Sequence, residues 1–436
     1  MQSTLPTSNL ISQSGGGPTD PSHDEDLRRG ILRTEIERPV AWALVGIFLA
    51  AMVLVPLGQQ YFEHAEDEES PLLDLFRRAP SAENLRQVEH DLEQASYAKA
   101  YVQPRLQALL TRLGRVGNKR AVIGRDGFLY YTPGVLHVAG PGFLNRETQK
   151  GREKAALDSG EAAIVADPRP AILAFHTMLA ERGIRLVLMP LPDKAALQAE
   201  QLHGRGHPAV APDNPDFARL VAELRGKGVA VFDAREVTAT RPAQPLFLKQ
   251  DTHWTPEYME HVARALGRYV SELGVLPAAA KPAGFHSATQ PVSRLGDIVD
   301  MLKLPEQQTV FLPQSVVVHP VQDAQGNAWE PDASADILLL GDSFSNIFSL
   351  EGMGWGAAAG LGPQLALSLE RPLDVIAQND SGAFATRQAV AKELAASSGR
   401  LNGKRVVIWE FASRELSVGD WKHIDWQHPA VAREAH

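Results

Sequence analysis

Two short motifs contain the residue types needed for nucleophilic chemistry. Gly341-Asp342-Ser343 follows four consecutive apolar residues, 337–340, and Asp251-Thr252-His253 lies about 90 residues earlier in the chain. A serine hydroxyl reacts at neutral pH only if a histidine takes its proton and an acid orients that histidine. The two motifs together predict acyl-transfer chemistry, with Ser343 as nucleophile, His253 as general base and Asp251 as the orienting acid.

Each motif alone also has a simpler interpretation. Gly-Asp-Ser is a common turn in which Asp342 bonds to nearby backbone amides, and Asp251 can cap a following helix while His253 is an ordinary surface residue. The presence of both motifs in one chain, each at the end of a predicted strand, favours catalysis. Asp251 and His253 are one residue apart, so an extended segment would direct both side chains to the same face. Asp342 is expected to brace the serine turn.

An acyl-transfer site also needs hydrogen-bond donors for the oxyanion. The backbone amide of Ser343 is one candidate. Asn379 and the backbone at Gly382 follow a predicted strand and offer further donors, although a polar turn between strand and helix is the simpler explanation of Asn379. Three more side chains are candidates for binding a sugar or an anionic substrate, each with an alternative structural role: Trp254, Arg387 and Arg414.

Apolar runs alternate with amphipathic helical patterns along the part of the chain that must position these residues. Strands are predicted at 184–189, 229–233, 246–248, 337–340, 373–376 and 405–411, and helices at 170–182, 215–224, 256–273, 357–369 and 386–396. This alternation predicts an α/β fold with a mostly parallel sheet between two helical layers, and places sites at the carboxyl ends of the strands. Residues 275–335 break the alternation and predict an insertion, with a hairpin within 308–319.

Composition excludes several classes of function. The 436 residues are 44% hydrophobic and 22% charged, which is ordinary for a globular protein, and the net charge of -9 argues against nucleic-acid binding. The chain contains no cysteine, so disulfides, thiolate catalysis and cysteine-ligated metal sites are excluded. No spacing is typical of a metal site, and we predict neither a metal nor a cofactor.

The N-terminal region predicts a membrane anchor. Residues 1–38 are rich in Ser, Gly, Pro and Asp and predict a disordered cytoplasmic tail, and 39–58 are apolar and long enough to cross a bilayer. Arginines precede this segment and acidic residues follow it, so the rest of the chain is expected outside the cytoplasm. A cleaved signal peptide and a buried core helix are the alternatives. Residues 59–115 predict a helical stalk or linker, and 116–425 the catalytic domain.

The two motifs, in this order, resemble those of the AlgJ/AlgX family of alginate O-acetyltransferases, whose SGNH-hydrolase-like domain is permuted so that Asp-x-His precedes the serine. Weaker matches are the segments 124–130, 190–194 and 408–414. The resemblance implies an SGNH-hydrolase-like three-layer sandwich in which Ser343, His253 and Asp251 form the catalytic triad. The N-terminal anchor favours the AlgJ branch, and the chain end soon after the last predicted strand leaves no room for the carbohydrate-binding module of the AlgX branch.

The resemblance also implies partners and a location. A membrane-bound O-acyltransferase is expected to supply the acetyl group, a hydroxyl of an exported polysaccharide to receive it, and other exopolysaccharide machinery to act alongside. The catalytic domain is expected in the periplasm, held by a single-pass anchor in the bacterial inner membrane. A carbohydrate esterase with the same triad, or a non-catalytic subunit of an exopolysaccharide complex, would leave a similar sequence.

Overall fold

The computed structural model describes residues 37–65, 77, 81–160, 162–203, 212–238, 245–278, 282–379 and 382–426. The chain divides into two compact units, residues 1–102 and 103–436. The predicted disordered tail, apart from its last two residues, and the acidic residues 66–69 lie outside the described residues. The catalytic domain was predicted to begin at 116, whereas the second unit includes the helix that precedes this position.

The described residues contain eleven strands and fifteen α-helices. The strands are β1 Ala121–Ile123, β2 Leu129–Tyr131, β3 Arg185–Leu191, β4 Ala230–Val231, β5 His286–Ser287, β6 Gln290–Arg294, β7 Gln314–Val318, β8 Val321–Gln322, β9 Ile337–Gly341, β10 Asp374–Ala377 and β11 Val406–Ala412. The helices are α1 Arg38–Ala65, α2 Ala82–Gln94, α3 Gln103–Gly114, α4 Thr132–Ala139, α5 Arg146–Asp158, α6 Pro168–Ala180, α7 Lys194–Leu197, α8 Ala199–His203, α9 Phe217–Gly226, α10 Pro256–Glu272, α11 Asp297–Met301, α12 Ser343–Asn346, α13 Leu361–Leu369, α14 Gly382–Ala395 and α15 Glu415–Val418.

The first unit is helical. Helix α1 is 28 residues long, has a mean hydropathy of 2.5 over its most apolar 18 residues, and buries none of that window. It is the one helix among the described residues that is long and apolar enough to span a membrane, and it contains the predicted 39–58 segment. Near its end, Gln59 donates to Ala95 O and accepts from Tyr97 N, and Phe62 stacks on Tyr97. These contacts attach the chain that follows α2 to the last turns of α1.

A five-stranded parallel sheet forms the centre of the second unit. Its strand order is β10-β9-β11-β3-β4. In the register, Leu340 of β9 lies beside Trp409 of β11, and Gly341 lies beside Ala377 of β10. The carboxyl ends of β9, β10 and β11 therefore meet at one edge of the sheet.

Both faces of the sheet are covered, because alternate strand residues enter two separate cores. Leu339 and Ile408 pack on one face with residues of α10 and α13, whereas Leu338 and Val407 pack on the other with residues of α6, α9 and α14. Strands buried on both faces are nearly continuous apolar runs, the pattern from which they were predicted. The predicted α/β architecture with a parallel sheet between helical layers is confirmed.

Helix α10 begins where its sequence indicated. The Thr255 hydroxyl accepts from Tyr258 N at the N-terminus, and Pro256 occupies the first turn, where a missing N–H costs nothing. Met259, Val262 and Leu266 are fully buried along one face. This rigid helix fixes the end of the Asp251–His253 loop.

The segment 275–335 contains short antiparallel ladders in place of the alternating pattern. Strand β5 pairs with β8, and β6 pairs with β7. The hairpin predicted within 308–319 is wrong, because β7 pairs with 290–294 and not with the residues directly before it. Leu312-Pro313 precedes β7, and a proline cannot donate to a ladder. Helix α11 in this segment contacts the candidate site.

Candidate active site

The serine turn is held by its own acid. Gly341 ends β9, and a Cβ added there would lie 2.2 Å from Ser345 Oγ, so only glycine fits. Asp342 caps α12, with Oδ1 accepting from Phe344 N at 2.8 Å and Oδ2 accepting from Ala412 N at 2.8 Å. Asp342 therefore ties the turn to β11, as its sequence position indicated. Ser343, at the start of α12, is half-buried.

A second carboxyl group, missed from the sequence, lies under this turn. Glu410 of β11 is fully buried, and its Oε2 accepts from Asp342 N at 3.0 Å and from the Ser345 hydroxyl at 2.6 Å. Its Oε1 has no partner among the described residues. Burial, followed by the charge of Asp342, raises the pKa of Glu410 well above its usual value. The raised pKa favours the neutral form of Glu410, whose Oε2 holds the turn.

The segment that contains Asp251 and His253 is a tight loop and not the expected extended segment. Phe247 and Trp254 form an isolated antiparallel bridge, and Leu248 N donates to His253 O at 3.1 Å. The predicted strand 246–248 is wrong because these residues turn back on themselves before they can join the sheet. Asp251 and His253 meet through this turn, in which His253 N also donates to Asp251 Oδ1 at 3.1 Å.

The buried side chain of Lys194 holds the backbone of this loop through hydrogen bonds. The ammonium group of Lys194 donates to Leu248 O at 2.6 Å, Lys249 O at 2.9 Å and Asp251 O at 3.1 Å, and to Leu129 O at 2.6 Å. Burial lowers the pKa of Lys194 to about 7, opposed by the nearby acids. Four carbonyl oxygens around one ammonium group favour its charged form and fix the backbone of the loop.

The structure brings the three predicted residues into one hydrogen-bonded chain. His253 Nε2 lies 2.8 Å from Ser343 Oγ, and His253 Nδ1 lies 2.6 Å from Asp251 Oδ1. Both distances allow a proton to pass from serine to histidine while the acid holds the other ring nitrogen. Burial lowers the pKa of His253, but the charge and hydrogen bond of Asp251 outweigh it, so the net shift is upward.

The remaining acceptor positions of Asp251 are also filled. Its Oδ2 accepts from Asp297 N at 3.0 Å and from Trp355 Nε1 at 3.0 Å. Burial raises the pKa of Asp251, but the charge and ring hydrogen bond of His253, together with the backbone N–H groups of Asp297 and His253, lower it overall. Gly296 permits the approach of α11, because a Cβ there would lie 2.2 Å from Gln250 O. Asp251 is thus a buried carboxylate with two hydrogen bonds from protein groups on each oxygen.

Asp297 is a further acid next to this pair. Its Oδ1 accepts from Thr252 N at 2.7 Å, and burial together with the charge of Asp251 raises its pKa to about 6. Asp251, His253 and Asp297 bring ligand atoms within 4.8 Å of one another, as a metal site would. However, backbone, indole and imidazole donors already occupy the oxygens of Asp251, and a cation would have to displace them. The geometry fits a hydrogen-bonded network better than a metal site.

Three of the other predicted residues lie beside the serine turn. Asn379 is exposed, and its side-chain oxygen accepts from Asn346 Nδ2 at 2.7 Å, so its own amide N–H groups stay available. Gly382 begins α14 against the turn, since a Cβ there would lie 2.5 Å from Asp342 Cβ. The guanidinium of Arg414 lies 5.6 Å from the Phe344 ring centre and pairs with Asp193 at 3.1 Å.

Two predicted substrate contacts are placed elsewhere. Trp254 is 1% exposed and donates to Phe344 O at 3.2 Å, so it supports α12 from behind. Arg387 is also 1% exposed, donates to Ala383 O and Lys422 O, and packs among aromatic rings. Their burial gives both residues a structural position, which corrects the expectation that they contact substrate.

A cavity of about 210 Å³ opens beside α12. Its walls include Trp329, Asn346, Ser349 and Pro363. An aromatic ring with amide and hydroxyl groups around it is suited to a sugar ring, which offers an apolar face and polar edges. The cavity borders the turn that carries Ser343.

The chain is similar to known proteins in both sequence and fold. The model of a family described as SGNH hydrolase-like domain, acetyltransferase AlgX, matches residues 122–413. Two similar curated proteins are probable alginate O-acetylases AlgJ. The one from Pseudomonas aeruginosa is 25% identical over 306 residues, covering 69% of this chain and 72% of that protein. The one from Azotobacter vinelandii is 26% identical over 276 residues, covering 58% and 64%.

A solved structure has a similar fold. The O-acetyltransferase domain of Pseudomonas putida AlgJ superposes with a TM-score of 0.50 at 20% identity, over 69% of this chain and 93% of that one. At this identity the likeness concerns the fold alone.

Proposed function

Because the chain belongs to the AlgX family of SGNH hydrolase-like acetyltransferases, we propose that it moves an acetyl group through an ester on Ser343 onto hydroxyls of an exported polysaccharide. Family membership confirms the resemblance and the SGNH-like fold, and supports a role in polysaccharide acetylation. The observation that carries the finer proposal is the hydrogen-bonded chain Asp251–His253–Ser343, with distances of 2.6 and 2.8 Å.

In the first half-reaction, His253 Nε2 takes the proton of the Ser343 hydroxyl while Oγ attacks the acetyl carbonyl carbon. Collapse of the tetrahedral intermediate expels the donor's oxygen, which receives the proton from His253, and leaves acetyl-Ser343. In the second half, His253 takes a proton from a sugar hydroxyl, whose oxygen attacks the ester. The serine oxygen leaves and regains the proton, so atoms and charge balance.

Oxyanion donors lie at the same edge of the sheet. We assign this role to the backbone N–H of Ser343 and to the side-chain amide of Asn379, whose oxygen is turned toward Asn346. The start of α14 at Gly382 contributes further backbone donors. Removing one such donor typically costs a factor of about 10² to 10³ in rate. Arg414 places a positive charge close enough to influence His253 and attracts an anionic acceptor.

The acceptor is a polysaccharide in this proposal. The relatives are named probable alginate O-acetylases, so a uronate polymer is the first candidate. The cavity beside α12 supports an acceptor position there, because it is large enough for one sugar ring and lies next to the nucleophile turn. A membrane-bound O-acyltransferase would supply the acetyl group.

Transfer and hydrolysis are distinguished by the fate of the acetyl group. The full-length protein in detergent would be incubated with p-nitrophenyl acetate and mannuronate oligomers, and the products analysed by mass spectrometry. We expect acetylated oligomers from the wild type and none from Ser343→Ala. Free acetate without acetylated sugar would show that the protein is an esterase and not a transferase. Acetylation by the Ser343→Ala variant would show that Ser343 is not the nucleophile.

We propose that α1 is a single-pass anchor with the catalytic unit in the periplasm. The length and apolar surface of α1 support the anchor, and the arginines before it support the orientation. A reporter enzyme active only outside the cytoplasm, fused after residue 69, is expected to be active. Activity of a cytoplasm-specific reporter at the same junction would contradict both the location and the choice of partner.

A further inference from the structure

Helix α3, at the start of the catalytic unit, exposes an apolar face to solvent, whereas Thr111 on its polar face is buried. Leu106, Leu109, Leu110 and Leu113 have exposed fractions between 40% and 76%. At 100° per residue these four leucines occupy an arc of about 100°, one continuous face of the helix. A helix on a soluble protein turns such a face inward.

The polar face of α3 is the one that turns toward the protein. Thr111 is 4% exposed and donates to Val116 O at 3.1 Å. Gln107 donates to Thr111 Oγ1, Val116 O and Gly117 O at 3.0 to 3.3 Å. These bonds hold the polar face of α3 against the segment that follows the helix, so the leucines on the opposite face point away from that segment. Four neighbouring exposed leucines indicate a contact with an apolar environment.

The charged residues within and directly after α3 indicate which apolar environment the leucines contact. Between Gln103 and Arg125 the sequence has six basic residues and no acidic residue, in a chain whose net charge is -9. The basic residues are Arg105, Arg112, Arg115, Lys119, Arg120 and Arg125. Arg105 and Arg112 lie on α3 itself, and the other four lie in the segment 115–125 that follows it. An apolar helix face with Lys and Arg close by in the sequence is typical of helices that lie in the interface of a bilayer with anionic lipids. The membrane-spanning candidate α1 lies earlier in the same chain.

From these observations we propose that the leucine face of α3, defined by Leu106, Leu109, Leu110 and Leu113, lies in the surface of an anionic lipid bilayer. The leucines enter the boundary between headgroups and acyl chains, and the basic residues contact anionic headgroups. This second attachment holds the catalytic unit at the membrane surface, where a membrane-embedded donor would release its acetyl group. The proposal concerns lipid contact and does not depend on the triad chemistry.

The absence of cysteine allows a direct test on the full-length chain. Leu110→Cys would be labelled with an environment-sensitive nitrobenzoxadiazole dye, and the protein reconstituted in nanodiscs of phosphatidylethanolamine and phosphatidylglycerol. Asn402→Cys, an exposed position before β11, serves as the control. We expect blue-shifted emission at position 110 that is quenched by doxyl groups on the lipid chains, and neither effect at position 402.

Two further measurements test whether the leucines and the anionic lipids cause the signal. Leu106→Gln with Leu113→Gln, added to Leu110→Cys, removes two exposed leucines and is expected to abolish the blue shift without lowering the thermal unfolding temperature. Discs of phosphatidylcholine alone should give weaker quenching, since they lack anionic headgroups. Equal, weak quenching at 110 and 402 in anionic discs would overturn the proposal. So would protection of the dye only after a partner membrane protein is added, which would assign this face to a protein contact.

Discussion

Replacing Asp251 by asparagine tests the triad at its best-defined point. The carboxylate receives four hydrogen bonds, two on each oxygen, from His253 Nδ1 and N and from Asp297 N and Trp355 Nε1. An asparagine has one acceptor oxygen and one NH₂ group. Two orientations of this amide are therefore possible, and they differ in which donors lose their partner.

If the amide oxygen faces His253, the imidazole keeps its proton on Nδ1, but the N–H groups of Asp297 and Trp355 both face NH₂. If the amide is reversed, only His253 N lacks an acceptor, and the ring nitrogen Nδ1 must then accept. Each buried donor without a partner costs about 1–3 kcal/mol, so the reversed orientation is favoured by about that amount. In that orientation the proton sits on Nε2, which can no longer accept the proton of Ser343.

The expected loss in acylation rate is therefore about 10³- to 10⁴-fold. Release of p-nitrophenol from p-nitrophenyl acetate in a single turnover measures it, with circular dichroism as the control for folding. Asp251→Asn combined with Trp355→Phe removes one of the unpaired donors, makes the two orientations similar in energy, and should be faster than Asp251→Asn alone. An Asp251→Asn rate within about tenfold of wild type would refute the reasoning, because the tautomer would then not matter.

Three other predictions follow from the site. Ser343→Ala and His253→Ala should each remove nearly all turnover, and the double variant should be little slower in the same acylation assay, because the residues act as a unit. His253 must be neutral to act as base and its pKa is raised, so the rate should increase with pH through a value above 6.5 and then level off; a midpoint below 6.5 would contradict this. Glu410→Gln should retain the fold because the raised pKa favours a neutral carboxyl, which glutamine replaces, whereas Glu410→Ala should lose about 2–5 kcal/mol in urea unfolding; equal loss in both would count against a neutral Glu410.

The layered fold was predictable because its pattern is local. Buried strands such as 337–340 are continuous apolar runs, and the Thr255-Pro256 start of α10 is set by adjacent residues. The segment 246–248 was assigned wrongly because an apolar run of three residues has the same pattern in a buried loop as in a strand. Phe247 in this segment pairs with Trp254, which is seven residues further along the chain and in the same loop.

The two motifs identified the three residues that the structure brings together, whereas their supports could not be found from spacing. Trp355 bonds Asp251 across 104 residues of sequence, and Asp297 across 46. Such contacts depend on the path of the chain, which short-range periodicity does not determine. Glu410 was detectable in the sequence, because it is the one acid within the apolar run 406–412. A buried acid needs hydrogen-bond partners, so its position indicated a structural or functional role. Arg387 shows the converse, because a buried arginine among aromatic rings has the same sequence pattern as a surface one.

The four carbonyl bonds of Lys194 also bear on how the protein folds. They join Lys194 to residues 54 to 65 positions away on both sides, at Leu129 and in the 248–251 loop. None of these bonds can form before chain segments distant in sequence have met, and contacts of this kind form late. The loop that carries Asp251 and His253 is therefore attached to Lys194 only once these distant segments have met. Its amide protons should exchange with solvent only when the domain opens as a whole.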